Sequence, residues 1–69
     1  MDETLVTIRR KQMMTGVALA KQLGIDSSMQ WKIEHGKVSF PARLILPWSQ
    51  AIGVSVARML RLIEDMHGE

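Results

Sequence analysis

TGVALAKQLGIDSSMQWKIEHGK, residues 15 to 37, carries the start and stop signals of two helices set almost end to end. Thr15 offers a capping hydroxyl to a segment in which Val17, Leu19, Ala20 and Leu23 are apolar, and Gly24 can take the left-handed conformation that ends it. These signals predict a helix over Gly16 to Leu23. Only Ile25 separates Gly24 from Asp26, whose carboxylate can accept from the amide of Ser28 or Met29. Gly36 then closes a further helix, predicted over Ser27 to His35, after a turn of about three residues. Its outward face carries Ser27, Ser28, Trp31 and Lys32, which follow no apolar pattern.

On the N-terminal side, Leu5 and Ile8 at i and i+3 predict a helix over about residues 3 to 13, with Arg9, Arg10 and Lys11 near its end, where cations favour the dipole. On the C-terminal side, a looser link from Lys37 to Pro41 carries Phe40. The stretch Ala42 to Ile52 is apolar enough for a buried helix but contains Pro47, so the regular helix is expected to begin near Leu46 with Pro47 in its first turn, or to kink there. Trp48, at helical spacing with Ala51 and Ile52, is assigned to the core. Gly53 closes this helix and Ser55 caps the last, where Val56, Met59, Leu60 and Ile63 form an inner stripe running toward Met66. The expected fold is all-α, with five helices, no strand and no repeat, in a single domain over residues 1 to 69.

A chain of 69 residues is near the lower size limit for a single apolar core, so dimerisation would add useful burial. At 46% apolar residues and without low-complexity runs, it favours a folded globule over disorder. The absence of Cys excludes disulfides and Cys-ligated metal sites, and fits a reducing, cytoplasmic compartment. No basic region followed by an apolar core opens the chain, and the apolar-rich stretch Leu44 to Leu62 is broken by Ser, Gln, Gly and two Arg, so neither secretion nor a membrane span is expected. The formal charge is +2, yet five of the seven acids (Asp2, Glu3, Glu64, Asp65, Glu69) lie at the ends. Between Thr4 and Ile63, nine basic residues face two acidic ones, a field that attracts polyanions. His35 and His67 have no metal-ligand spacing, and no phosphate-loop, dinucleotide or nucleophile-elbow motif is present. Neither a metal, a cofactor nor an enzymatic activity is expected.

Two helices joined by a tight Gly-containing turn, in a basic body, match the helix-turn-helix arrangement, in which the first crosses the phosphate backbone and the second enters the major groove. The run from Thr15 to Lys37, followed by GVSVARML (Gly53 to Leu60), resembles the phage-repressor family of such domains, the Cro/CI or XRE type. The matching pieces are the T-x-x-x-L-A start, the L-G-[IV] turn, the I-E-x-G-K exit, the A-[IL]-G-V-S entry to the last helix, and Arg9. They cover about Leu5 to Leu60. The resemblance implies a five-helix lambda-repressor-like domain that binds double-stranded DNA sequence-specifically, as a homodimeric transcriptional regulator, in the first instance a repressor.

It also implies roles for residues. Ser27, Ser28 and Lys32 occupy the positions of family base readers, while Thr15, Gly16, Lys37, Ser39 and Arg43 are placed for phosphate contact. Arg9 and Glu34 are expected to pair, holding Arg9 near phosphate. Two positions depart from the pattern. Gly16 stands where similar proteins usually carry a phosphate-binding Gln, which removes an anchor. Gln30 stands where an Ile or Leu usually packs, so it is expected to be half exposed, to be displaced by a rotation that brings Met29 and Trp31 inward, or to be buried with a partner. Trp31 replaces a small polar residue. Its apolar area favours packing against the Phe40 loop, with a DNA or protein contact as the alternative. Leu62 and Met66, off the inner stripe, are expected at a dimer interface. A reading of a different class is a protein-interaction module that keeps the scaffold without base reading, in the manner of an antitoxin or adaptor.

Overall fold

The computed structural model describes residues 3–67, an all-helical body of 29 × 23 × 19 Å. Five α-helices follow in order: α1 (Leu5–Lys11), α2 (Gly16–Leu23), α3 (Ser27–Glu34), α4 (Ile45–Ile52) and α5 (Val56–His67), with a 3-10 turn at Ala42–Leu44 before α4. There is no strand among the described residues, and none of their helices is long and apolar enough to cross a membrane.

Caps explain the boundaries. Thr4 opens α1 later than the apolar spacing alone predicts: its hydroxyl accepts from the Thr7 amide at 3.2 Å, and the Thr7 hydroxyl accepts from the Thr4 amide at 2.8 Å. Thr15 accepts from the Ala18 amide at 3.1 Å, Asp26 from Ser28 at 3.0 Å, and Ser55 from Arg58 at 3.1 Å. Pro47 lies in the first turn of α4, where its missing N–H would have had no helical acceptor.

Helices α1, α2 and α3 end in one hydrogen-bond pattern, in which a residue with positive φ lets two successive amides reach back to the last turn. Gly24 (φ 73°) and Gly36 (φ 71°) supply it for α2 and α3. In α1 the same position is Met13 (φ 59°), whose amide donates to the Arg10 carbonyl at 3.0 Å while the Met14 amide donates to that of Arg9 at 3.3 Å. The described helix therefore stops at Lys11, two residues short of the span expected from Leu5 and Ile8.

The core gathers Leu5 and Ile8 from α1, Leu19 from α2, Ile33 from α3, Leu44, Trp48 and Ile52 around α4, and Met59 and Leu62 from α5. Phe40 tilts onto the buried Trp48 ring, with centroids 4.9 Å apart. Gln12 ties α1 to α4, donating through Nε2 to the Ile52 carbonyl at 2.6 Å.

The inner face of α5 differs from the expected one. Apolar residues at 56, 59, 60, 62, 63 and 66 satisfy helical spacing for two overlapping stripes, and the fold selects Met59, Leu62, Ile63 and Met66. Val56 and Leu60 are left exposed. Leu62 is 8% exposed, and the Met66 side chain comes within 3.2 Å of where a Cβ on Gly36 would lie. Both residues expected at a dimer interface are thus occupied within the chain.

Candidate functional site

The first turns of α2 and α3 open onto one groove of about 330 Å³, lined by Thr15, Gly16, Val17, Ser27, Ser28 and Trp31, with Arg9, Gln30 and Glu34 deeper. The turn lets α3 fold back across α2, so that Gly16 at the start of α2 lies against Gln30, one turn into α3. Each first turn contributes N–H groups that no helical carbonyl can reach, and each helix dipole adds partial positive charge there. No acidic residue lies in the first turn of either helix, but the Asp26 carboxylate caps α3 and offsets the charge at its end, so the uncompensated positive end is that of α2.

Ser27, Ser28 and Lys32 are all exposed on α3. The two hydroxyls are not equivalent. Ser28 Oγ donates to Asp26 Oδ2, the same oxygen that accepts from the Ser28 amide, so only its lone pairs face outward. These two bonds, the hydroxyl's first, hold the Asp26 carboxyl below its ordinary value of 3.8. Lys32, like Lys37, Ser39 and Arg43 in the segment after α3, is exposed but does not line the groove.

Arg9, expected near phosphate, is committed inside the chain. It donates through Nε to Glu34 Oε2 at 2.7 Å, through Nη2 to Oε1 at 3.1 Å, and through Nη1 to the Met14 carbonyl at 2.8 Å. This two-pronged pair joins α1 to α3 with the Glu34 side chain 1% exposed. Removing one partner from such a buried pair costs about 3–5 kcal/mol, because the other charge is left uncompensated. Arg9 and Glu34 therefore tie α1 to the C-terminal turn of α3.

Trp31 does not reach the Phe40 loop. Phe40 is taken up by Trp48, and Trp31 instead stacks on His35, one turn along α3, with centroids 4.4 Å apart. The His35 ring is held by its Nδ1, 2.9 Å from the Trp31 carbonyl. The indole is 50% exposed.

Gln30 is 2% exposed, while Met29 and Trp31 remain outside, so α3 has not rotated to bring them in. Its Nε2 has no hydrogen-bond partner among the described residues, and the partner expected for it is missing. An unmade bond of this kind costs about 1–3 kcal/mol. The amide lies under Gly16: a Cβ there would stand 2.9 Å from Gln30 Oε1.

Val17 is a groove residue that its apolar character hides in the sequence. It shares its apolar character with Leu19, Ala20 and Leu23 of α2 but is 66% exposed beside Gly16. Its place two residues ahead of the Leu19 and Ala20 pair was the available signal. Gln30, which stands where an apolar residue is expected to pack, forms the floor. No protein-family model, curated protein or solved structure matches the chain.

Proposed function

We propose that the chain is a helix-turn-helix DNA-binding domain of the phage-repressor type, acting as a homodimeric transcriptional regulator, with α3 entering the major groove. The observation that carries this reading is the convergence of two helix N-termini on one groove, beside an exposed face holding Ser27, Ser28 and Lys32. The surplus of basic residues between Thr4 and Ile63 supports it by attracting a polyanion.

In this reading the amides of Gly16 and Val17 meet a backbone phosphate at the positive end of α2. Lys37, Ser39 and Arg43 meet phosphates around the segment after α3. Lys32 reaches guanine O6 or N7. Ser28, its proton held by Asp26, acts as an acceptor and favours adenine N6 or cytosine N4, whereas Ser27 can donate or accept. Two short hydroxyls discriminate weakly, so affinity rests mainly on phosphate contacts. Val56 and Leu60, exposed at i and i+4 on α5, replace Leu62 and Met66 as the apolar surface available to a second copy. A twofold pair would set the recognition helices about 34 Å apart, one turn of DNA.

Fluorescence anisotropy with labelled duplexes tests the reading. Affinity should fall steeply between about 50 and 200 mM salt. Salt-independent binding, or none at the lower concentration, excludes it.

The half-exposed Trp31, stacked on His35 and free of the core, favours a second reading in which the same face docks a protein. A Trp31→Ala variant that loses a protein complex while keeping its DNA affinity would select that reading.

A further inference from the structure

We propose that the buried amide of Gln30 is a phosphate-binding group of the DNA interface, reached through the space that Gly16 leaves at the start of α2. The inference rests on the DNA-binding reading above and assigns a donor that lies on the neighbouring helix, beneath the surface.

Three observations combine. Gln30 is 2% exposed, and its Nε2 has no partner among the described residues. The nearest heavy atoms to a Cβ built on Gly16 are the three terminal atoms of Gln30, with Oε1 at 2.9 Å, Cδ at 3.6 Å and Nε2 at 3.8 Å. Both residues line the groove into which the first turns of α2 and α3 open.

A Cβ at position 16 would come 2.9 Å from Gln30 Oε1 and oblige the amide to shift, so the glycine and the glutamine form one spatial unit. A primary amide keeps its shape on a half-turn about Cγ–Cδ, which exchanges oxygen and nitrogen. That turn brings the N–H group to the Gly16 opening, where Oε1 now lies, and places Oε1 in the buried position; the amides of Gly16 and Val17 beside the opening also lack helical acceptors. The amides of Gly16 and Val17, at the positive end of α2, and the Gln30 amide then border the same groove. Such a cradle is satisfied by an anionic oxygen, and in a DNA complex that is a non-bridging phosphate oxygen.

The role requires a donor and the space to reach it, and each can be removed separately. Gln30→Leu deletes the donor and substitutes an apolar side chain of similar size. It should leave the melting temperature unchanged or higher while lowering DNA affinity about tenfold. The slope of affinity against salt should not change, because a neutral amide displaces no counterion. Gly16→Ala, which drives a Cβ into the amide, should weaken binding in the native background but have little further effect beside Gln30→Leu, the non-additivity of a shared site.

Anisotropy titrations of these variants at several salt concentrations, each with a thermal melt, test the proposal. A folded Gln30→Leu protein with undiminished affinity overturns it, as does additivity of the two substitutions. Should Leu at position 30 prevent folding, Gln30→Met, which better keeps the length of the side chain, carries the same test. Failure of the unaltered chain to bind DNA overturns the DNA reading together with this inference, whereas binding with an indifferent Gln30 overturns the inference alone.

Discussion

Asp26 and Ser28 share a carboxylate oxygen at the start of α3, so the cap that begins the helix also decides what Ser28 can offer to DNA. The Asp26 carboxyl is held below 3.8, chiefly by the Ser28 hydroxyl. A carboxyl depressed on folding contributes stability that is fully present above its unfolded value and is lost as pH falls through the folded one. Asp26→Asn, which keeps the cap geometry without the titration, should therefore flatten stability against pH at and below the ordinary aspartate range, as followed by melts in acid. An unchanged pH profile would show that the cap's charge contributes nothing. At the same scale, Lys32→Ala should lower sequence preference, while Lys37→Ala should weaken binding to all sequences and reduce the salt slope by about 1. Equal effects on cognate and random duplexes at both positions would remove Lys32 from base reading.

At the scale of elements, the Arg9–Glu34 pair ties the end of α3 to α1, and the helix ends set where each helix stops. Arg9→Ala or Glu34→Ala should each destabilise by about 3–5 kcal/mol, measured by urea denaturation, out of a total of roughly 5–15 kcal/mol for a domain. Met13, 92% exposed with φ 59°, holds a left-handed position that Gly fills in α2 and α3. Met13→Gly relieves roughly 1–2 kcal/mol of steric cost against roughly 0.5–1 kcal/mol of added chain entropy. A rise of a few degrees in Tm is expected, and a fall would mean that the Met13 side chain stabilises the turn in some other way. The limits of α2 were legible because Thr15 and Gly24 bracket it, and α3 differed only in that His35 is its C-cap. The end of α1 was not legible, because Met gives no sign of a left-handed position. The inner face of α5 was ambiguous for a different reason: two stripes met the same spacing, and packing against the rest of the core selected the one containing Leu62. Trp31 and Gln30 are legible as unusual positions, but their surroundings depend on Phe40 choosing Trp48 and on the space at Gly16, neither of which spacing encodes.

For the whole molecule, small size and segregated charge act together. The acids cluster at the ends of the sequence and leave a basic body, while a single small core leaves Val56 and Leu60 in water. Leu60→Glu should keep the fold, shift sedimentation toward the monomer, and weaken binding to a paired site far more than to a half-site. Unchanged sedimentation would place the twofold contact elsewhere or remove it. The most direct test of the central claim is selection of bound sequences from a random duplex pool at low salt. A double-stranded DNA reader with its recognition helix at α3 should enrich two related half-sites about 10 base pairs apart, centre to centre. A pool that returns no enriched sequence, from a folded protein, would contradict it.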